Sequence, residues 1–230
     1  MNRRLQKIYD LIPKTGMGII DVGTDHGHIP IQLALNQYPG RIFASDIVPG
    51  PLNSAMNLAK QNHVEENIRF LLCDGLTSCP NDQVDTILIA GMGGDTICRI
   101  LDQADWLING IYRLILQPMT HAEVLRYWLI HNEFRIEKEA LIKDGSHLYQ
   151  IMQASSGLSR SLTDCEYLIG RFSALHEGES VVLLIEQQIE RLEKKISGMR
   201  SSSEQNSSAY RFYLHIIEEL YEAKTNSLLN

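Results

Sequence analysis

The sequence Ile19-Ile20-Asp21-Val22-Gly23-Thr24-Asp25-His26-Gly27 starts as an apolar run, turns acidic and glycine-rich, and leads into the apolar stretch 29–35. This pattern predicts a strand, a tight turn and a helix, an arrangement that binds many nucleotide-containing cofactors. Gly23 and Gly27 suit such a turn because glycine tolerates positive φ and lets a ligand approach the backbone closely. The alternative is a turn that binds nothing, since a Gly-x-x-x-Gly turn alone is a weak signal.

The charge of this turn indicates which cofactor it accepts. A dinucleotide fold has the pattern G-x-G-x-x-G and places a pyrophosphate at the helix N-terminus. Here Asp25 stands where the middle glycine would be, and its carboxylate would repel a diphosphate. S-adenosylmethionine (SAM) carries a sulfonium and an ammonium group and no phosphate, so it suits an acidic turn. The residues therefore favour SAM over NAD, and they disfavour an NAD-binding oxidoreductase.

Two further acidic residues end apolar runs downstream. Asp46 ends the run 41–46, about twenty residues after the glycine turn, where a carboxylate can accept hydrogen bonds from both ribose hydroxyls. Asp74 and Gly75 follow the run 68–73 in the same way and are expected near the adenine ring. Each acid could also be a turn former or a helix cap. Together they predict acidic strand ends around one cofactor.

Five segments of the chain resemble a known family. They are DVGTDHGHIPI (21–31), SDIVPGPLNSA (45–55), IAGMGG (89–94), RLILQP (113–118) and HLYQI (147–151). Together they resemble the bacterial tRNA (adenine-22-N1)-methyltransferases, a SAM-dependent class I group, over residues 1 to about 155. The resemblance implies an α/β, Rossmann-like sheet that is mostly parallel with an antiparallel hairpin at one edge, and methylation of N1 of an adenine in tRNA.

The expected site consists of a cofactor set and two residues close to the reacting atoms. The predicted cofactor-binding residues are Asp21, Gly23, Asp25, His26, Gly27, His28, Asp46, Asp74, Gly75, Gly91, Met92, Gly93 and Gly94. Asp25 either stabilises the cationic product ring or holds the methionine ammonium group. The Gln117 amide offers a donor and an acceptor to an adenine edge. His26 and His28 beside Asp25 supply too few ligands for a metal site, so no metal is expected.

Composition limits the function classes. The 230 residues are 44% hydrophobic and carry a net charge of −7, which disfavours a simple nucleic-acid binder. The basic residues Arg3, Arg4 and Lys7 are the best candidates for contacts with RNA, although they could equally form a solvated helical turn. No apolar run reaches the roughly 18 residues of a membrane span, and the four cysteines lack a C-x-x-C pair. A cytoplasmic protein without membrane or secretion segments is expected.

Alternating apolar runs predict the order of the elements. After a short first helix that ends before Pro13, strands are expected near 17–23, 41–46, 68–73, 84–90 and 111–117. Helices are expected near 27–37, 50–62, 94–105 and 121–132, and two strands, 135–141 and 148–154, form a hairpin.

The C-terminal part has a different pattern. Apolar stripes with three- and four-residue spacing predict two helices joined by the polar connector 201–208. The first stripe is Val182, Ile185, Ile189, Leu192, Ile196 and Met199; the second is Tyr210, Tyr213, Ile217 and Leu220. We therefore expect a SAM-binding domain of residues 1–155 and an antiparallel coiled-coil hairpin of residues 158–230. An ordinary helical extension packed on the core is the alternative.

The function expected from these features is a SAM-dependent tRNA methyltransferase. It acts as a monomer or as a weak homodimer through the helical hairpin, which also grips the tRNA. A small-molecule methyltransferase is the alternative within the same fold, and the acidic net charge suits it. A non-catalytic SAM- or RNA-binding protein is the alternative from another class.

Overall fold

The computed structural model describes residues 1–107, 112–171, 178–200 and 207–228. The strands, β1 to β7 in chain order, are Gly18–Val22, Arg41–Asp46, Ile68–Leu72, Thr86–Met92, Arg113–Pro118, Phe134–Asp144 and His147–Ser156. The helices, α1 to α8, are Arg3–Leu11, His28–Leu35, Pro49–Gln61, Gly94–Asp102, Ala122–His131, Asp164–Ile169, Gly178–Arg200 and Ser208–Leu228.

The strands form one seven-stranded sheet with the order β3-β2-β1-β4-β5-β7-β6. Strands β1 to β5 pair in parallel, whereas β7 lies antiparallel to both β5 and β6. This arrangement confirms the predicted Rossmann-like sheet with its antiparallel edge hairpin. The order of the strands reverses between β1 and β4, so the crevice at their carboxyl ends is where such sheets bind ligands.

Helices cover both faces of the sheet because its central strands are apolar on both sides. All five residues of β1 are buried. On one face Ile8 of α1 and Ile12 directly after it pack with residues of α2 and α3 and with Ile142 and Ile151 of the edge hairpin. On the other face α4 and α5 cover the same strands. Helix α1 thereby lies against the edge hairpin, although about 140 residues separate them in the chain.

Strand β4 differs from its predicted range 84–90. It begins at Thr86 and continues through Gly91 to Met92, with an irregular register opposite β5 between Ala90 and Met92. Gly91 has a φ of +82°, a value that glycine adopts without the steric cost of a Cβ. A bulge therefore carries the strand into the glycine turn. The edge strands β6 and β7 are also longer than predicted, and position 111 of the predicted fifth strand lies outside the described residues.

Helices α7 and α8 run antiparallel. The Arg200 Nε donates to the Tyr210 hydroxyl at 3.0 Å, while Lys224 Nζ lies 2.7 Å from a carboxylate oxygen of Glu186. Contacts that pair rising numbers in one helix with falling numbers in the other define an antiparallel pair. Most of the predicted connector, residues 201–206, lies outside the described part of the chain, as do the last two residues.

The buried stripe of α7 begins differently from the prediction. Val181 and Leu184 are buried, whereas Val182 is only partly buried. The cause is that α7 packs against α6 and Leu141 of β6 as well as against α8, so its apolar face is wider than one coiled-coil stripe. Helix α6 itself was not predicted. Its sequence signal is the capping box of Thr163 and Glu166, in which each side chain bonds to the other residue's backbone N–H.

A buried ion pair fastens this helical arm (α6, α7 and α8) to the core. The Arg126 side chain is 1% exposed and bonds to Glu139 of β6 at 2.8 Å and to Gln150 of β7 at 2.6 Å. It also donates to the Tyr167 carbonyl at the end of α6, while the Arg171 N–H donates to the second oxygen of Glu139. One guanidinium group thus joins α5, the edge hairpin and the first helix of the arm.

Candidate functional site

A cavity of about 420 Å³ lies at the carboxyl ends of β1, β2, β3 and β4, within the size range of small-molecule sites. It contains most of the predicted cofactor-binding residues. Those that line it are Asp21, Gly23, Asp25, His26, His28, Asp46, Asp74, Gly75, Gly91 and Met92. The acidic strand ends therefore surround a common hollow.

The turn after β1 is shaped by left-handed backbone. Gly23, Asp25 and Gly27 have φ values of +70°, +53° and +69°. The Gly23 N–H donates to the Ser45 carbonyl of β2 at 2.8 Å, which ties the turn to the neighbouring strand. A Cβ on Gly23 would lie 2.0 Å from the Cε of Met92, so a larger residue there would displace the Met92 side chain as well as strain a backbone with positive φ.

Asp46 is held at the end of β2 by backbone donors. One of its carboxylate oxygens accepts from the Val48 N–H at 3.0 Å and the other from the Asp25 N–H at 3.2 Å. These bonds fix the carboxylate and leave lone pairs on both oxygens for donors inside the cavity. Asp74 and Gly75 follow β3, and Gly75 adopts a φ of +57°. The structure thus brings the predicted ribose and adenine residues to one side of the cavity.

Asp21 forms part of the cavity wall but is 7% exposed. Its carboxylate accepts a hydrogen bond from the Thr24 hydroxyl at 2.8 Å. Burial raises the pKa of Asp21 to about 7, and this effect outweighs the opposing hydrogen bond from Thr24. Near neutral pH this carboxyl group is therefore divided between its protonated and ionised forms.

The raised pKa of Asp21 predicts a pH dependence of stability. Its folded-state pKa of about 7 lies above the unfolded value of 3.8, so the folded state holds the extra proton between these pH values. The stabilisation that this group contributes is fully present below about pH 4 and is lost progressively as the pH rises to about 7. Relative to an Asp21→Asn variant, the wild type should lose roughly 3 kcal/mol between pH 5 and pH 8 in urea unfolding. A constant difference between the two proteins would contradict the raised pKa.

Three predicted glycines do not line the cavity. Gly27 packs on α3, where a Cβ would lie 2.9 Å from the Cβ of Ala55. Gly93 and Gly94 pack against the loop after β5, and a Cβ on Gly94 would lie 2.2 Å from the His121 carbonyl oxygen. The Gly94 N–H also donates to the Thr120 carbonyl at 2.8 Å. These glycines allow the close packing that shapes the cavity, and their predicted contact with the cofactor is not supported by their position.

Gln117 is placed differently from the prediction. Its side chain is fully buried, with Oε1 accepting from Arg4 Nη1 and Nε2 donating to the Pro118 carbonyl at 2.8 Å. Because both ends of the amide are occupied within the protein, Gln117 does not offer a free edge to an adenine. The sequence could not show this, since the partner Arg4 lies 113 residues away.

Arg4 is the predicted basic residue that reaches the cavity. Its guanidinium group lies 5.4 Å from the ring centroid of Tyr149, and an added Cβ on Gly91 would lie 3.5 Å from its Nη1. Arg3 and Lys7 instead line a shallow depression on the outer side of α1, and Arg3 donates to the Lys143 carbonyl at 3.1 Å. Arg4 therefore forms part of the cavity wall, whereas Arg3 and Lys7 lie on the outer side of the helix that carries it.

Two polar lining residues of α4, Thr96 and Arg99, were not predicted. They lie three positions apart on a helix that begins directly after the glycine turn, so they share one helix face. That spacing is the signal that could have identified them. The lining residues include two arginines, Arg4 and Arg99, and four acidic residues, Asp21, Asp25, Asp46 and Asp74.

The described part of the chain contains neither a cluster of metal-binding side chains nor a helix that could span a membrane. In those residues, His, Cys, Asp and Glu side chains do not gather in threes or more at distances that would hold a metal ion. Within the same ranges, every helix is too short or too polar to cross a membrane.

Comparisons with known proteins agree on one family. A family described as "Methyltransferase domain" matches residues 1–152. The tRNA (adenine(22)-N(1))-methyltransferase of Bacillus subtilis (strain 168) is 32% identical over 157 residues, which cover 68% of this chain and 66% of that protein. The matched segment is thus just under two thirds of that relative's length.

Solved structures match over nearly the whole chain. The crystal structure of the B. subtilis m1A22 tRNA methyltransferase TrmK has a TM-score of 0.83 at 26% identity, covering 96% of this chain and 97% of that one. The structure of M. capricolum TrmK in complex with S-adenosyl-homocysteine has a TM-score of 0.82 at 25% identity, covering 98% of each chain. The similarity therefore includes the helical arm as well as the sheet.

Proposed function

Because this chain belongs to the methyltransferase-domain family and, within it, to the tRNA (adenine-22-N1)-methyltransferases, we propose that it transfers a methyl group from SAM to N1 of an adenine in tRNA. The observation that carries the proposal is the cavity ringed by carboxylates at the point where the strand order reverses. The adenine position is taken from the relatives.

The residues present fit SAM. A sulfonium and an ammonium group are favoured by the four lining carboxylates, whereas a diphosphate would meet the carboxylate of Asp25 at the turn. Gly23 has no side chain and a φ of +70°, so the backbone itself forms the wall there. We assign Asp46 to the ribose hydroxyls, Asp74 and Gly75 to the adenine side, and the turn from Gly23 to His28 to the methionine end.

Methyl transfer to N1 of adenine requires little from the protein beyond alignment of the two reactants. When bound, SAM supplies a methyl group on a sulfonium sulfur, which a nitrogen lone pair can accept without prior loss of a proton. Holding the two reactants in line removes much of the entropic barrier. Gly91 and Met92 lie at the end of β4, where their backbone can approach a flat base. Gln117 acts as a positioning residue that holds Arg4 at the cavity wall.

Asp25 has two candidate roles, which an Asp25→Asn variant separates. Its side chain is about 70% exposed, lines the cavity and lies 3.7 Å from the His26 ring. If Asp25 holds the methionine ammonium group, the variant should bind SAM at least tenfold more weakly, because a charged hydrogen bond is lost. If Asp25 stabilises the cationic product, SAM affinity should stay within twofold while kcat falls. Calorimetry with SAM and single-turnover methylation measure the two quantities, and wild-type values for both would exclude both roles.

Contacts with RNA are assigned to α1 and to the helical arm. Arg3, Arg4 and Lys7 provide a local basic surface beside the cavity in a chain with a net charge of −7. A base must leave its paired or stacked environment to enter the cavity, which costs a few kcal/mol. We propose that residues 158–230 act as a separate domain that grips the tRNA while residues 1–155 act on the base.

We also propose that the protein is cytoplasmic and acts as a monomer or as a weak homodimer through an antiparallel coiled coil of α7 and α8. The coiled coil is supported by the antiparallel packing of these two helices within one chain. Sedimentation analysis over a range of concentrations tests the oligomeric part: a tight dimer at nanomolar concentration would contradict it.

Mass spectrometry of tRNA incubated with the protein and SAM tests the proposed function. We expect one added methyl group that maps to N1 of an adenine, and no addition when SAM is omitted. SAM turnover only with small molecules would indicate a metabolite methyltransferase instead. SAM binding without turnover on any substrate would indicate a non-catalytic protein, and thermal stabilisation by NAD but not by SAM would indicate an oxidoreductase.

A further inference from the structure

A second cavity, of about 540 Å³, lies outside the catalytic cavity, between core helix α5 and the helical arm. Aromatic rings form much of its wall: Tyr127 from α5, Tyr167 from α6, and Phe212 and Tyr213 from α8. Phe212 is 44% exposed and Tyr127 is 56% exposed. Such exposure is unusual for large rings and leaves their faces accessible.

The rings are held in defined orientations. Tyr127 stacks on His131 with centroids 3.7 Å apart and planes 21° apart, and its centroid lies 5.9 Å from that of Tyr167. On the arm side, the Lys195 ammonium group lies 4.4 Å from the Tyr213 ring centroid. The groove therefore presents preformed flat surfaces and does not need to order them on binding.

Two cations accompany the aromatic rings. Arg191 and Lys195 of α7 line the groove, and Arg191 pairs with Glu123 of α5 at 2.9 Å. With Glu123 and Asp164 also lining it, the groove has a balanced formal charge in a chain whose net charge is −7. Aromatic faces beside arginine and lysine are how proteins hold unpaired bases and their phosphates. An apolar peptide would use the apolar area but not the flat faces or the cations.

The groove lies close to the catalytic cavity. His121, at one end of the groove, contacts Asp95, which directly follows the glycine turn of β4. The Met119 N–H donates to the carbonyl of Met92, and Met92 lines the catalytic cavity. Only the loop after β5 and the glycine turn thus separate the two cavities. A nucleotide near the target base in the same RNA strand can reach the groove.

We propose that this aromatic groove binds an unstacked base of the substrate RNA near the methylated nucleotide, with Tyr127 and Phe212 as its stacking surfaces. The inference rests on the proposed function and deepens it. It gives the junction of core and arm a specific role: a second base is held outside the helix while the target base occupies the catalytic cavity. Arg191 and Lys195 are then placed for the adjoining phosphate.

Matched substitutions test this proposal in the full-length protein. Tyr127→Leu and Phe212→Leu keep apolar area but remove the ring, whereas Tyr127→Phe and Phe212→Tyr keep the ring. We expect each leucine variant to bind tRNA about tenfold more weakly in filter-binding assays, and each ring-preserving variant to stay within about twofold. SAM affinity and melting temperature should match the wild type for all four variants.

Photocrosslinking provides a readout that needs no substitution. Transcripts of tRNA containing 4-thiouridine, irradiated with the wild-type protein, should yield adducts in peptides that include Tyr127 or Phe212. Leucine variants that bind tRNA as tightly as the wild type would overturn the proposal, as would crosslinks confined to peptides outside the groove. If the wild type methylates tRNA in these cases, only the groove assignment fails. A wild type that methylates no RNA refutes the proposed function itself.

Discussion

Replacing Arg126 by leucine is expected to lower the free energy of unfolding by about 3–5 kcal/mol, a large part of the 5–15 kcal/mol typical of a folded domain. The substitution leaves the buried Glu139 carboxylate without its counter-ion and with only the Arg171 N–H as donor. The Gln150 amide oxygen and the Tyr167 carbonyl in α6 lose their Arg126 donor as well. Unpaired buried charge is expensive because the low-dielectric surroundings replace hydration poorly. Urea denaturation midpoints measure the change.

Two further variants define the cause of this loss. The double variant Arg126→Leu/Glu139→Leu also removes the unpaired Glu139 carboxylate, so it should recover much of the lost stability. Lys194→Gln breaks an exposed pair with Glu190 on α7 and should leave the midpoint unchanged. If Arg126→Leu were no more harmful than Lys194→Gln, the buried network would not be what fastens the arm to the core.

Replacing Asp46 by alanine is expected to weaken SAM affinity by at least about 100-fold in calorimetry. The proposed ribose contact consists of two hydrogen bonds to a charged acceptor, each worth about 1.5–3 kcal/mol. The substitution also frees the Val48 and Asp25 N–H groups, so the turn that lines the methionine end loses an anchor. Asp46→Asn retains one acceptor oxygen and should have an intermediate effect.

The matched control for Asp46→Ala is Asp82→Ala, which removes an exposed carboxylate outside the cavity and should leave SAM affinity unchanged. Melting temperatures of both variants identify any loss through unfolding. Wild-type affinity in a folded Asp46→Ala variant would mean that the ribose does not lie at the end of β2.

Local patterns explain how much the sequence could predict. Each parallel strand could be predicted because an apolar run ended in a turn residue. Parallel strands bind ligands at their carboxyl ends, so the acidic residues at the ends of β1, β2 and β3 could be predicted to share one cavity. Periodicity likewise predicted α7 and α8. The six residues of α6 are too few for a periodic signal, so only its capping box indicates the helix in the sequence.

Contacts between distant segments explain what the sequence could not predict. Gln117 looked available to a base because its partner Arg4 belongs to the first helix. Gly93 and Gly94 looked like ligand contacts, but the loop after β5 occupies the space beside them. The network around Arg126 joins four segments and has no local signature, since a charged residue in an amphipathic helix is usually solvated.

The position of α1 against the edge hairpin has a consequence for biosynthesis. Ile8 and Ile12 gain their packing partners Ile142 and Ile151 only after most of the sheet has been translated, and Arg4 meets Tyr149 at the same stage. A nascent chain shorter than about 150 residues therefore leaves part of the apolar face of α1 uncovered at its leading end. Arg4 therefore takes its place at the wall of the donor pocket only after the last strand has left the exit tunnel, so this wall is completed late.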